Sequence, residues 1–280
     1  MRKRIRTNVA DKQKNSKDRF KSLNIFGSYM RSPYPSKKHI SYFQVYSDLL
    51  EPYRNKPITF VEIGVLDGGS LFMWRDYLGP KARIIGVEFN PGAKIWEEHG
   101  FEVFIGSQSN PVFWKNFFKK IGKVDIVLDD GGHTNEQQIV TALSCIPQIK
   151  DKGILIVEDI HTSFMTRFGN PSKYSFIQYA KAVATNINKR FPGIQIQNSL
   201  LNKFVYSVSF FESIIAFKID RKKCFENIAI DNGKLPVGGK KAVDFRHKGT
   251  LLDIVRMKSR WISWAYMKLK NFKLRKYFYM

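Results

Sequence analysis

Residues 124–133 read VDIVLDDGGH, an apolar run ending in two carboxylates, two glycines and a histidine. A second run, GILIVED at 153–159, ends in Glu158 and Asp159. Folding alone gives little reason to gather Asp129, Asp130 and His133 at the edge of a core, whereas a strand that delivers side chains into a cleft does. Carboxylates crowded in a cleft repel one another unless a cation sits among them, and all-oxygen ligation suits Mg2+ or Mn2+. The plain alternative is helix capping and salt bridges to the abundant lysines. Two acid pairs at two strand ends, with a histidine three residues past Asp130, weigh against it. Successive strand residues point to opposite faces, so three of the four carboxylates can meet only where a chain turns sharply, as Gly131 and Gly132 allow.

An earlier stretch, EIGVLDGGS at 62–70, has the composition of a ligand-approaching turn. Gly64, Gly68 and Gly69 permit a tight turn and close backbone approach to a ligand at the next helix's N-terminus, with Ser70 as the expected N-cap. Glu88 follows 20 residues after Gly68, at the end of RIIGVEF, where a carboxylate can grip two ribose hydroxyls. The pair points to a nucleoside-bearing cofactor without separating NAD from S-adenosylmethionine.

The elements that must hold these residues are legible. ITFVEIGV (58–65), RIIGVEF (83–89), VDIVLDD (124–130) and GILIVED (153–159) are short β-rich runs. They alternate with the helical segments SLFMWRDYL, NPVFWKNFFKKI and NEQQIVTALSCIPQI. That alternation predicts βαβ units and a parallel sheet covered on both faces. KFVYSVSF and SIIAFKI lie too close together for a crossover, so an antiparallel hairpin at the sheet's edge is expected. Thr134 and Gln137 form a T-x-x-Q capping box that places His133 just before the N-cap. Residues 162–175 read as a loop able to close over a site.

The formal net charge of +23 sits at the ends. Residues 1–40 hold 12 Lys and Arg against two Asp, and residues 246–280 hold 10 against one, whereas 41–245 are nearly balanced. Ends of that kind seek an anionic surface, glycan or nucleic acid, or are solvated tails. Residues 251–278 interleave Trp261, Trp264, Phe272, Tyr277 and Phe278 with Lys and Arg. This suits an interfacial helix on anionic lipid, or one docked on the catalytic domain or a second subunit. Cys145 and Cys224 have no metal-binding spacing and read as free thiols. The N-terminus lacks an apolar signal stretch, and no run approaches the roughly 18 apolar residues of a spanning helix. A cytoplasmic protein is expected, with peripheral attachment to a membrane through its basic ends.

The run VDIVLDDGGHTNEQQIVTALSCIPQIKDKGILIVEDIHTSF resembles the metal-dependent sugar O-methyltransferases that act on antibiotic deoxysugars. These are related to rhamnosyl O-methyltransferases and cephalosporin-hydroxylase-like proteins. The similarity extends through SKKHISYFQVYSDLL, FVEIGVLDGGS, GVEFNP and IGSQSNPVFW to SVSFFESIIAFKI, covering 36–219. D-D-G-x-H and E-D at this separation are its most specific elements. It implies an α/β class I methyltransferase fold: a doubly wound, mostly parallel seven-stranded sheet with an antiparallel hairpin at one edge. The domain would span 36–220, between a basic arm (1–35) and a basic, aromatic-rich extension (221–280). It also implies bound S-adenosylmethionine and a divalent metal, Mg2+ or Mn2+. By position, Asp130, Glu158 and Asp159 would be the metal ligands and His133 the general base. Glu62, Gly64 and Glu88 would line the cofactor site, Gln108 would lie near the adenine, and Asp129 would bound the cofactor side. Lys38, His39 and Tyr42 match a family element near the cofactor. The chain departs from the usual pattern at Ser107, where an acid is common, at Gly132, where Ser is, and at Glu88, where Asp is. The resemblance implies a sugar hydroxyl as acceptor, the basic ends point to one on a surface polysaccharide or glycolipid, and a homo-oligomer is expected. The rival readings are an RNA methyltransferase, for which the high pI argues, and a non-catalytic or hydroxylase-like protein on the same fold.

Overall fold

In the computed structural model, which describes residues 20–168, 173–195, 200–234 and 264, seven strands form one sheet in the order β3-β2-β1-β4-β5-β7-β6. They are β1 (Thr59–Ile63), β2 (Arg83–Glu88), β3 (Glu102–Ile105), β4 (Val124–Asp129), β5 (Ile149–Val157), β6 (Val205–Phe211) and β7 (Ile214–Ile219). β3, β2, β1, β4 and β5 run parallel, and β7 lies antiparallel to both β5 and β6. The chain therefore starts in mid-sheet, winds outward to β3, and returns to place β4 on the other side of β1. The carboxyl ends of β1 and β4 flank the point where winding reverses, which is where open α/β sheets bind ligands. This is the doubly wound sheet with an edge hairpin that the sequence implies.

Both faces are covered. On one lie α1 (Asn24–Arg31), α2 (Tyr42–Leu50) and α3 (Gly69–Leu78), packing Phe43, Tyr46, Leu71 and Trp74 against Phe60, Ile126 and Ile156. On the other lie α4 (Pro111–Ile121), α5 (Asn135–Cys145) and α6 (Phe176–Ile187), with Trp114, Phe117 and Phe176 against Val61, Val127 and Phe217. The central strands are buried on both faces, which explains why they read as continuous apolar runs. Local signals fix the helix starts. Asn110 accepts from the Val112 and Phe113 amides ahead of α4, and the Thr134–Gln137 capping box forms as expected.

β3 has only four residues, of which Val103 alone is buried, so it carries little periodic signal. α1 falls within 1–35, the stretch read as a basic arm, yet buries Ile25 and Phe26 in the core, because NIFGSYMR is amphipathic despite its basic neighbours. The chain divides into two units, 1–228 and 229–280, and the sheet lies in the first. Residues 1–19 and most of the basic extension lie outside the described residues.

Candidate active site

β1 runs into Gly64, whose φ of +88° suits glycine alone, and a Cβ added there would stand 2.1 Å from the Asp130 carbonyl oxygen. The β1 and β4 tips can thus lie side by side only because residue 64 has no side chain. One strand over, Glu88 accepts from four backbone amides: Val65 (2.8 Å), Leu66 (3.1 Å), Phe89 (2.7 Å) and Asn90 (3.1 Å). Burial pushes its pKa up, but these bonds outweigh burial and hold the carboxyl below its ordinary range. Around it opens a cavity of about 600 Å³ lined by Gly64, Leu66, Glu88, Phe89, Gln108 and the 130–133 turn. Leu66 and Phe89, 80% and 74% exposed, leave bare apolar surface on its wall.

A second cavity, of about 290 Å³, adjoins the first and is walled by His39, Tyr42, His161, Met165, Arg167 and Phe168 among others. The two share Lys37, Asp130, His133 and Asp159. His133 Nε2 lies 3.3 Å from Asp159 Oδ2 and 3.9 Å from Asp130 Oδ1. Donor atoms from Asp130, His133 and Asp159 all fall within 4.8 Å of one another, and a second such group joins His39, Asp159 and His161. His133 and Asp159 both hold left-handed backbone conformations (φ 58° and 56°), a strain of about 1–2 kcal/mol each that turns their side chains into the shared floor. His133 Nδ1 is buried with no hydrogen-bond partner among the described residues.

The acid tips carry a cation of the protein's own. Lys38, its side chain 1% exposed, places Nζ 2.6 Å from Asp130 Oδ2 and 3.0 Å from Glu158 Oε2, with Glu62 Oε1 at 3.9 Å. Burial alone would lower its pKa, but the three carboxylates reverse that and raise it. Glu158 is fully buried, and its other oxygen accepts from the Tyr46 hydroxyl. Burial raises the Glu158 pKa against the pull of Lys38. Asp159 Oδ1 accepts from the Tyr42 hydroxyl at 2.5 Å.

Residues 61–160 match the methyltransferase domain family Methyltransf_24. This stretch is similar to a methyltransferase domain. The chain is 33% identical over 136 residues to an 8-demethyl-8-alpha-L-rhamnosyl tetracenomycin-C 2'-O-methyltransferase of Streptomyces olivaceus, covering 46% of this chain and 35% of that protein. It is 29% identical over 127 residues to the demethylmacrocin O-methyltransferase of Streptomyces fradiae, covering 43% and 32%. The chain thus spans about a third of the length of the curated relatives it matches. The MycE methyltransferase of the mycinamycin pathway, solved with Mg, SAH and mycinamycin VI, superposes with a TM-score of 0.63 at 20% identity, over 80% of this chain and 57% of that one. The resemblance to sugar O-methyltransferases holds, as does the class I fold.

At the strand tips the expected site residues divide. Gly64, Glu88, Gln108, Asp130, His133 and Asp159 line the larger cavity. Glu62, Gly68, Gly69, Ser70 and Asp129 are not among its lining residues. Glu62 is fully buried beneath the floor, accepting from Ser70 Oγ (2.8 Å) and Trp74 Nε1 (3.0 Å). Ser70 therefore lies inside α3 and ties down Glu62, while Gly68, in a left-handed conformation, is the N-cap in its place. Gly69 admits the backbone of Tyr34 and Pro35, whose carbonyl oxygens would stand 2.4 and 2.3 Å from an added Cβ. Asp129 points away from the cavity, opposite Asp130, and accepts from Gln108 Nε2 at 2.9 Å. Glu158 borders the smaller cavity but lies outside the cluster of Asp130, His133 and Asp159, and its oxygens accept from Lys38 and Tyr46. The part of Lys38 as an ion partner was not read from the sequence; its only signal was the family element containing SKKHISY.

Proposed function

We propose that this protein is an S-adenosylmethionine-dependent O-methyltransferase acting on a sugar hydroxyl with the help of a divalent cation, Mg2+ or Mn2+. One observation carries the reading: two adjoining cavities of different character meet at a single imidazole flanked by two carboxylates. A donor in one and an acceptor in the other would face each other across His133.

The larger cavity suits an adenosyl group. Leu66 and Phe89 offer apolar surface to a flat ring, Glu88 offers carboxylate oxygens to vicinal hydroxyls, and Gly64 and Gly131 keep the backbone close. When bound, S-adenosylmethionine supplies an electrophilic methyl on a sulfonium. For the cation, Asp130 Oδ1 and Asp159 Oδ2 are the oxygens left over once Lys38 and Tyr42 have taken their partners. A pair of carboxylate oxygens suits a hard ion, with imidazole the poorer ligand. When bound, the ion supplies positive charge beside the acceptor hydroxyl, making it more acidic. His133 Nε2, the nitrogen between the two carboxylates, would take the acceptor's proton as the methyl transfers. Tyr42 and Ser213 hold Asp159 and His161 in place around it.

A sugar acceptor is supported by the curated relatives named as 2'-O- and 3'-O-methyltransferases of rhamnosyl tetracenomycin-C. We place the acceptor on a surface polysaccharide or glycolipid, reached through basic ends that adhere to anionic membrane, with the enzyme working as a homo-oligomer. No helix among the described residues is long and apolar enough to cross a membrane. His133→Ala tests the assignment. S-adenosylmethionine binding, followed by calorimetry, should persist, while methyl transfer to the glycan falls by about 10²–10⁴. Unchanged turnover would remove His133 from the chemistry.

A further inference from the structure

Lys38 sits on the connection between α1 and α2, outside the sheet, yet its side chain is 1% exposed and its ammonium is buried at the site. Three carboxylates from three strand ends surround it: Glu62 in β1, Asp130 just past β4 and Glu158 just past β5. Each also has a further partner or neighbour. Tyr46 donates to Glu158, Ser70 and Trp74 donate to Glu62, and His133 lies near the second oxygen of Asp130. The Tyr46 ring lies 5.9 Å from Nζ. This notch is built for one small cation, and the lysine fills it.

An ammonium and a hard divalent cation want the same thing, oxygen atoms bearing negative charge, and they repel each other at contact distance. Asp130 Oδ2 and Glu158 Oε2 cannot serve both. We infer that Lys38 is a resident cation competing with the divalent ion for Asp130 and Glu158, so that Glu158 becomes a metal ligand only when Lys38 is displaced. The metal-bearing reading of the site underlies this inference. With Lys38 in place, the ion is left with Asp130 Oδ1 and Asp159 Oδ2, a sparse set of protein ligands that gives weak binding. Displacing Lys38 adds Glu158 and frees Asp130 Oδ2. The connection that carries Lys38 also seals α3, since Ser32 Oγ donates to the Gly69 carbonyl at 2.8 Å and Tyr34 packs against Trp96 with ring centroids 4.8 Å apart. Lys37, next in the chain, lines both cavities. Metal entry would therefore be felt where cofactor and acceptor meet.

The test uses the full chain with Mn2+ as the probe, its free concentration followed by electron paramagnetic resonance. Lys38→Met should bind Mn2+ at least tenfold more tightly than the unaltered protein, and adding Glu158→Gln to that variant should abolish the gain. Affinity within twofold of the unaltered protein, or weaker, in a variant that keeps its circular dichroism and cooperative melting overturns the inference. A second measurement needs no variant. An amine-acylating reagent should modify Lys38 slowly in the metal-free protein and several-fold faster at saturating Mn2+, as read by peptide mass spectrometry. Equal protection with and without the ion overturns the inference too. Neither readout involves methyl transfer, so a protein that proved inactive toward sugars would leave both results standing.

Discussion

Replacing Glu62 by Gln should change how the stability of the domain depends on pH, in a direction and by an amount the structure fixes. Glu62 is fully buried under the β1 tip, and burial, only partly countered by Lys38, pushes its pKa from an ordinary 4.5 to about 7. Below the unfolded value the group is protonated in both states. Between the two values only the folded state keeps the proton, so stability falls as pH rises through this window and levels off above it. A displacement from 4.5 to about 7 corresponds to about 3 kcal/mol at 1.36 kcal/mol per pKa unit. Gln is nearly isosteric and can keep both contacts: its carbonyl accepts from Trp74, and its amide donates to the Ser70 hydroxyl, whose lone pairs permit the reversal. It cannot titrate. The assay is urea unfolding of both proteins at pH 5, 6, 7 and 8, with the difference between their free energies followed at each pH. Other titrating groups largely cancel in that difference, which should move in favour of the variant by about 3 kcal/mol between pH 5 and 8. In melting temperature that is roughly 6–12 °C for a domain of this size. Parallel profiles would mean that Glu62 ionises as it does in the unfolded chain, and the argument that burial outweighs Lys38 there would be refuted.

Gly64→Ala combines a left-handed backbone with a Cβ 2.1 Å from the Asp130 carbonyl, so it should cost about 2–5 kcal/mol in urea unfolding. It should also weaken S-adenosylmethionine binding in calorimetry, because the β1 and β4 tips must part. Gln108→Leu strips Asp129 and the Gly132 amide of a buried partner, since Gln108 donates to Asp129 and accepts from Gly132 at 2.7 Å. A loss of about 2–4 kcal/mol in the same unfolding assay is expected, against little change if water can substitute.

The sheet was legible because its signal is local and repeated. A strand buried on both faces must be apolar throughout, and β1, β2, β4 and β5 are; the T-x-x-Q box announces α5 within four residues. The six residues expected at the larger cavity follow from the same rule, since each lies at or just past a strand end, where the backbone alone decides which cleft it faces. Which oxygen has which partner is not a local property. Lys38 meets Asp130 across 92 residues of chain and Glu158 across 120, and it sits in SKKHIS, where two adjacent lysines look alike. Lys37 lines both cavities, whereas Lys38 reaches only the smaller one and is buried among three carboxylates, a distinction made by the path of the connection into α2 rather than by residue type. The same holds for Glu158 and Asp159. As neighbours they look like a ligand pair, but Asp159 turns into a left-handed conformation and lines both cavities, while Glu158 borders only the smaller one and is fully buried, with one oxygen accepting from Tyr46. Residue identity fixes which chemistry is possible at a strand tip; the turn that follows the tip decides which of two adjacent acids performs it.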